Sequence, residues 1–417
     1  MQFTWLTHPK VDMDDIPRID TDGGSVVQGN VTTKGDFIGR DKITNIFGLA
    51  RWQTYLLALA VMLVAAILLI VITPHLQAWF AVATPDPARL QPVSSSHGIE
   101  ITALAVQQGQ IWGGAQQDGK FFLFHSNLAN PAAVAIKPLH YTENRILDLH
   151  VDCYGNIWLL INEIGTLAYN QATGAISAML NQQTPGSTLT KNTMYAIASQ
   201  CNPDGSATIW LGRESVHTLQ YEQADLTFAK LRFVPVADDV AFQATQNLME
   251  VRGLLVRGNL VWVADDGQTG QLTVFSPTGM TTPQHFPLED GLLTLAGAPD
   301  GTTAWAGGYQ KLFSVQVDQE SRSIDIDPSL HMRAALLAVD ADYVWLGDDC
   351  STSDNAACCS LAVYIPHNQS NSCVTKQITD VAALAFDEAD NLWIGTSAGL
   401  FVYFRHVSSS IRKGNFI

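Results

Sequence analysis

The sequence predicts an all-β fold, a seven-bladed β-propeller preceded by one transmembrane α-helix. Three observations carry this. Seven of the ten tryptophans, Trp112, Trp158, Trp210, Trp262, Trp305, Trp345 and Trp393, recur at intervals of 46, 52, 52, 43, 40 and 48 residues. Each closes a similar phrase of β-forming residues, turn and β-forming residues. The only long apolar run, residues 55–72, lies just ahead of the first phrase. A period of about 40 to 50 residues is that of a four-stranded blade, so a single ring is expected over residues 99–417.

The last unit shows the phrase most plainly, with strand 381–386, turn 387–391, strand 392–396 and strand 399–404. Earlier first strands are expected at 101–106, 146–151, 194–199, 251–256, 292–297 and 334–339. A first strand lines the axis, where all blades converge, and it mixes small residues with β-formers, as in Ala103-Leu104-Ala105 and Ala196-Ile197-Ala198. Two residues past the tryptophan, six units carry Gly or Ala, which suits a strand closely approached by a neighbour. Leu160 is the exception. The indoles themselves are expected to fill the space between adjacent sheets. Outer strands are expected at 132–138, 176–180, 228–236, 324–327 and 374–378. For the seventh blade, either 409–417 supplies the outer strand or 88–93 does and closes the ring, which protects its edges.

Asp390-Asn-Leu-Trp-Ile-Gly-Thr-Ser-Ala-Gly-Leu-Phe401 resembles the bacterial two-component-regulator propeller repeat, and Cys153-Tyr-Gly-Asn-Ile-Trp158 is a second match. The resemblance spans residues 99–404, with the other five units diverged. It implies an extracytoplasmic sensing propeller of the kind found in hybrid histidine kinases. No kinase, receiver or DNA-binding module follows the ring in this sequence.

Residues 52–74 are expected to form the transmembrane helix, since the eighteen uncharged residues 55–72 approach the ~20 needed to cross a bilayer. Trp52, Tyr55 and Trp79 sit at its margins, where aromatic rings favour the interface. A signal peptide cleaved near Ala81-Val-Ala83 is the competing assignment, but more than fifty residues precede the run. A buried core helix would need amphipathic surroundings that are missing. Lys34, Arg40, Lys42 and Arg51 precede the run and only Arg89 follows it before Lys120, which places the N-terminus in the cytoplasm and the ring outside.

Around the span, residues 1–22 are expected as a disordered cytoplasmic tail and 75–98 as a linker. Residues 23–47 carry Gly every four to six positions between β-branched pairs, a pattern of short turns. They contain a phrase similar to the Gly-Asp-x-x-Gly-x-Asp-Lys-Ile run found near signalling modules in some bacteria. A strip of this kind cannot bury its apolar residues alone, so self-association or a cytoplasmic signalling partner is expected there, with a flexible tether as the alternative.

All six cysteines lie on the expected outer side, where disulfides form. Cys350 with Cys358 or Cys359 would pin an insertion in the sixth blade, and Cys153 and Cys201 occupy comparable turns of adjacent blades. A zinc site at the Cys350 cluster lacks a histidine or a second Cys-x-x-Cys.

No catalytic signature is present: there is no Gly-x-Ser-x-Gly, no His-Glu-x-x-His and no P-loop. The sequence calls for no cofactor or metal. A formal charge of −16 without clustered Lys and Arg argues against a nucleic-acid partner. Asp300-Gly-Thr-Thr-Ala-Trp305 and Asp204-Gly-Ser-Ala-Thr-Ile-Trp210 are similar to the turn motif of sialidase-type propellers, where Asp and Gly hold a hairpin. His150 and His217 are candidates to face the channel. Two acidic pairs, Asp265-Asp266 and Asp348-Asp349, fall three to four residues after a tryptophan and are expected on ligand-face loops that open on one side of the ring. The leading expectation is an extracytoplasmic ligand-binding or sensory module on a single-pass anchor, without catalysis of its own. An envelope interaction scaffold and a propeller-type glycan lyase or hydrolase are the alternatives.

Overall fold

In a computed structural model of the chain, the described residues are 59–63, 84–93, 96–138, 143–222, 231–267, 269–279, 282–317, 321–350, 358–378 and 380–405. Two compact units divide it, Met1–Ala81 and Val82–Ile417. In the first unit, residues 59–63 are helical, and Leu59, Val61, Met62 and Leu63 are all exposed. Among the described residues no helix is long and apolar enough to cross a membrane. The expectations for 1–22, 23–47 and the rest of 52–74 lie outside the described residues.

The second unit is a ring of seven four-stranded antiparallel sheets. Blade 1 consists of Glu100–Gln107, Gln110–Gln117, Lys120–Asn127 and Asn130–Pro138. Blade 2 has Ile146–Val151, Ile157–Ile161, Gly165–Asn170 and Ala175–Leu180. Blade 3 has Ala196–Cys201, Ser206–Gly212, Val216–Glu222 and Arg232–Phe233, and a short helix, Val240–Thr245, leads out of it. Blade 4 has Val251–Arg257, Leu260–Asp265, Gln271–Phe275 and Gln284–Pro287. Blade 5 has Leu292–Gly297, Thr303–Gly308, Lys311–Gln316 and Arg322–Asp325. Blade 6 has Leu336–Val339, Val344–Gly347, Leu361–Ile365 and Ser370–Thr375. Blade 7 joins Val381–Phe386, Leu392–Thr396 and Gly399–Tyr403 to the early strand Leu90–Pro92.

Ring closure therefore comes from the N-terminal side. Leu90, Gln91 and Pro92 pair with Tyr403, Val402 and Phe401, and Pro92 is tolerated because this is an outer, edge strand. Ser96 locks the seam, its hydroxyl donating to Val93 O at 2.7 Å and accepting from Leu400 N at 2.8 Å. Part of the stretch expected as linker thus belongs to the ring, while 409–417 lies outside the described residues.

The seven repeat tryptophans all sit on second strands and are all buried. They fill the seams between blades, as where Trp158 packs with Met194, Ile197 and Leu211 of blade 3. The small residues two positions later have a direct steric cause. A Cβ on Gly114 would lie 2.7 Å from Ile146, on Gly212 2.5 Å from Val251, and on Gly395 2.5 Å from Ile101. Each of these partners opens the next blade's inner strand, so the glycine lets the blades close up. Where blade 2 instead carries Leu160, the facing residue is Met194, whose unbranched side chain leaves room in the same cluster.

Three disulfides join Cys153 to Cys201, Cys350 to Cys358 and Cys359 to Cys373. The first ties blades 2 and 3 together; the second and third lie within blade 6. The Cys359–Cys373 bridge was not part of the sequence expectation, which left Cys359 as an alternative partner of Cys350.

Candidate functional site

The inner strands converge on an axial cavity of about 360 Å³. Its polar content has a backbone origin. Blades 1, 2, 4, 5 and 7 each carry a register shift at the second or, in blade 1, the third residue of the inner strand. The residues so displaced from the ladder are Thr102, Leu147, Arg252, Leu293 and Ala382, and all five line the cavity. A bulge breaks the two-residue alternation and re-aims a side chain, here toward the axis. Tyr195 and Ala335 hold the comparable positions just ahead of the inner strands of blades 3 and 6, and they line it too.

Blades 2, 3 and 4 supply the chemistry. Tyr195 lies under two guanidinium groups, with Arg213 Cζ 4.5 Å and Arg252 Cζ 4.2 Å from its ring centroid. Such cation–π contacts are worth about 0.5–1 kcal/mol each at partly exposed sites and they hold the phenol in place. Arg252 Nη2 is 3.2 Å from Glu250 and its Nε 3.6 Å from Asp266, the second too long for a hydrogen bond. Arg213 Nη1 donates to Thr193 O at 3.2 Å, and Arg213 makes no ion pair among the described residues. Arg213 Nε and Arg252 Nε are buried without a hydrogen-bond acceptor.

Asp148, on the inner strand of blade 2, also lines the cavity. One carboxyl oxygen accepts from Leu149 N at 2.8 Å. Burial pushes its carboxyl up to about 7, against which that single backbone hydrogen bond is too little. Two residues on, His150 is bonded to Ser199 Oγ of blade 3 at 2.7 Å, and burial holds its imidazole down at about 4. His217 is turned away from the axis, buried on the third strand of blade 3 between Thr188 and Ser215.

The two acidic pairs do lie at the end of the ring where inner strands begin, but their members are employed differently. Asp265 closes the second strand of blade 4 and accepts from Met249 N at 3.0 Å and Glu250 N at 2.7 Å. Asp348 takes a forked bond from Arg333, with Nη2 at 2.9 Å and Nε at 3.1 Å, plus the Arg333 amide at 2.7 Å. Both carboxylates therefore hold the chain entering the inner strand. Asp266 lies beside Arg252, which lines the cavity, and accepts from Tyr309 Oη at 3.1 Å. Asp349 is close enough to Arg333 to help keep its guanidinium charged, and the Cys350–Cys358 bridge follows it directly.

At the opposite end, aspartates in the first turn of a blade bind the repeat tryptophan. Asp152, Asp340 and Asp387 accept from the indole N–H of Trp158, Trp345 and Trp393 at 2.8, 3.0 and 3.0 Å. Asp300 and Asp204 hold their own turns, accepting from Thr302 N and Thr303 N and from Ser206 N. Gly301 and Gly205 adopt φ of 76° and 84°, which those turns need. Among the described residues no group of three His, Cys, Asp or Glu is placed to hold a metal ion.

Sequence reasoning missed Asp148, Tyr195 and Arg252. The signal available was a charged or aromatic residue inside an otherwise small, aliphatic inner-strand phrase.

No protein-family model matches the sequence, and no curated protein matches it. Solved structures do. A catalytically inactive variant of virginiamycin B lyase from Staphylococcus aureus with Quinupristin aligns at TM-score 0.56 and 13% identity, over 75% of this chain and 98% of that one. The extracellular domain of the putative hybrid two component system BT4673 from B. thetaiotaomicron aligns at TM-score 0.55 and 14% identity, over 77% of this chain and 43% of that one. PorZ, an essential surface component of the type-IX secretion system of Porphyromonas gingivalis, aligns at TM-score 0.52 and 14% identity, over 73% and 46%. The chain thus spans nearly the whole lyase and under half of the other two, and at these identities the likeness establishes the seven-bladed propeller fold alone.

Proposed function

We propose that this chain is a membrane-anchored extracytoplasmic β-propeller that binds a ligand at its axis as a sensory module, without catalysis of its own. The observation that carries the proposal is the axial cavity itself. It gathers Asp148, Tyr195 and Arg252 from three blades onto one wall, and among the described residues Asp148 accepts a single hydrogen bond and Arg252 Nε has no hydrogen-bond acceptor. Unspent polar groups converging on one pocket are what orient a small ligand and give it specificity. The placement outside the membrane is supported by the apolar run 55–72, the basic residues before it and three disulfides in the ring. The exposed apolar side chains at 59–63 suit a segment that meets lipid. Residues 23–47 would pass the signal on, through self-association or a cytoplasmic partner.

A propeller-type lyase or hydrolase is the second proposal, favoured by the lyase among the structural neighbours and by a carboxyl and a guanidinium at the axis. Incubating the purified chain with a candidate ligand separates the two. Unchanged ligand recovered from a complex that melts at a higher temperature supports the sensory module; conversion of ligand to product, lost in Asp148→Asn, supports the enzyme. If deleting residues 24–43 alters neither oligomer size nor partner recovery, the signalling role of that strip falls.

A further inference from the structure

We propose that the axial cavity takes a small zwitterion, a free α-amino acid or short peptide, with its ammonium against Asp148 and its carboxylate against Arg252 and Tyr195. This rests on the axial binding proposed above and specifies the ligand.

Among its described residues the lining carries one acidic and one basic side chain, the Asp148 carboxyl and the Arg252 guanidinium. The aliphatic side chains of the inner strands are taken up by the seams between blades, with Leu104, Ile197 and Leu337 buried there and Leu254, Leu295 and Leu384 packed against them, so the exposed wall of the cavity is mostly polar. Asp148 stands in blade 2 and Arg252 in blade 4, with Tyr195 of blade 3 between them, so the two charges flank a phenol rather than neutralise each other. Neither forms an ion pair with the other. A purely anionic ligand would bring its charge beside Asp148, and a purely cationic one beside Arg252. A molecule carrying both charges satisfies both ends. The volume, about 360 Å³, falls near the lower end of the ~300–1,000 Å³ usual for small-molecule sites, so the ligand is small.

The test is calorimetric titration of the full chain in detergent with four probes: L-leucine, L-leucyl-L-leucine, N-acetyl-L-leucine and L-leucine amide. Leucine or the dipeptide should bind, and capping either charge should weaken binding about tenfold or more, the loss expected for one charge-assisted hydrogen bond. Asp148→Asn should abolish the discrimination against N-acetyl-leucine and leave that against the amide; Arg252→Gln should do the reverse. N-acetyl-leucine or the amide binding as tightly as leucine overturns the zwitterion and leaves axial binding standing. None of the four probes binding overturns the zwitterion as well; a glucose or glutarate titration then decides whether axial binding survives, since a response lost in Arg252→Gln keeps it. The capped probes read the unmutated protein, so they decide the matter even if a variant fails to fold.

Discussion

Where first and second strands turn, Asp152, Asp340 and Asp387 are saturated. Asp152 alone accepts from the amides of Tyr154 and Asn156, the Asn156 side chain, the Trp158 indole and the Tyr221 hydroxyl. At the other end, Asp148 keeps one oxygen without a donor among the described residues, and Arg252 is shared between two carboxylates without being fully matched by either. Aspartates do different work at the two ends because Asp152, Asp340 and Asp387 sit in turns that supply several donors, whereas Asp148 sits on a bulged strand that supplies one backbone N–H. Saturated carboxylates hold the ring together; unsaturated ones leave capacity for something that is not part of the chain.

The largest effect should come from the saturated end. Asp152→Ala leaves several buried donors without an acceptor and should cost at least roughly 3 kcal/mol in urea unfolding, since each orphaned donor costs about 1–3 kcal/mol. Asp300→Ala, in a more exposed turn whose donors can reach water, should cost about 1 kcal/mol. Equal losses for the two would break the distinction.

Next comes the seam between blades. Gly395→Ala drives a Cβ to 2.5 Å from Ile101 and should destabilise the closed ring by about 1–3 kcal/mol, read from the same unfolding curves. Gly301→Asn, where nothing lies within 4 Å and asparagine tolerates the positive φ, should cost less.

The pH response should sharpen the contrast. Folded Asp148 holds its proton up to about 7 while the unfolded group releases it near 3.8, so its stabilising share is lost as pH rises between those values. Folded His150 stays neutral down to about 4 while the unfolded group protonates near 6.5, so its share is lost as pH falls through that window. The two oppose each other between about 4 and 6.5, and above that only Asp148 acts. Asp148→Asn should therefore raise Tm at pH 8 and have a shrinking effect toward pH 4. The gain at pH 8 should be about 1–2 kcal/mol, well below the full three-unit shift at ~1.4 kcal/mol per unit, because the cavity admits water. A uniform gain at all pH values would show that packing, not charge, is at work. The smallest effect belongs to the exposed pair Lys191–Glu214, where Glu214→Gln should move stability by less than about 0.5 kcal/mol.

The blade count was legible because a tryptophan at each seam is a packing necessity that leaves a period in the sequence. The outer strand of blade 4, Gln284–Pro287, was not, since Gln-His-Phe-Pro lacks a β-branched run and ends in a residue that breaks ladders. Ring closure by Leu90–Pro92 was only one of two alternatives, because a three-residue edge strand carries little pattern. The Cys359–Cys373 bridge depends on the register that sets Cys373 opposite Ala362, which no spacing encodes. Most of the candidate site stayed hidden for a related reason. Arg252 reaches the axis through a bulge, and a bulge shifts every alternation rule by one residue. The acidic pairs were found by position, yet Asp265 and Asp348 are drawn into the backbone and an arginine, choices made by geometry rather than by local sequence.

A sensory role for the ring requires its display outside the membrane, and limited proteolysis of intact cells tests this most directly. With antibodies to each end, added protease should degrade the ring while an N-terminal fragment ending near the apolar run survives until the cells are opened. A ring that stays intact until lysis, or an N-terminal tail cut in whole cells, would contradict it.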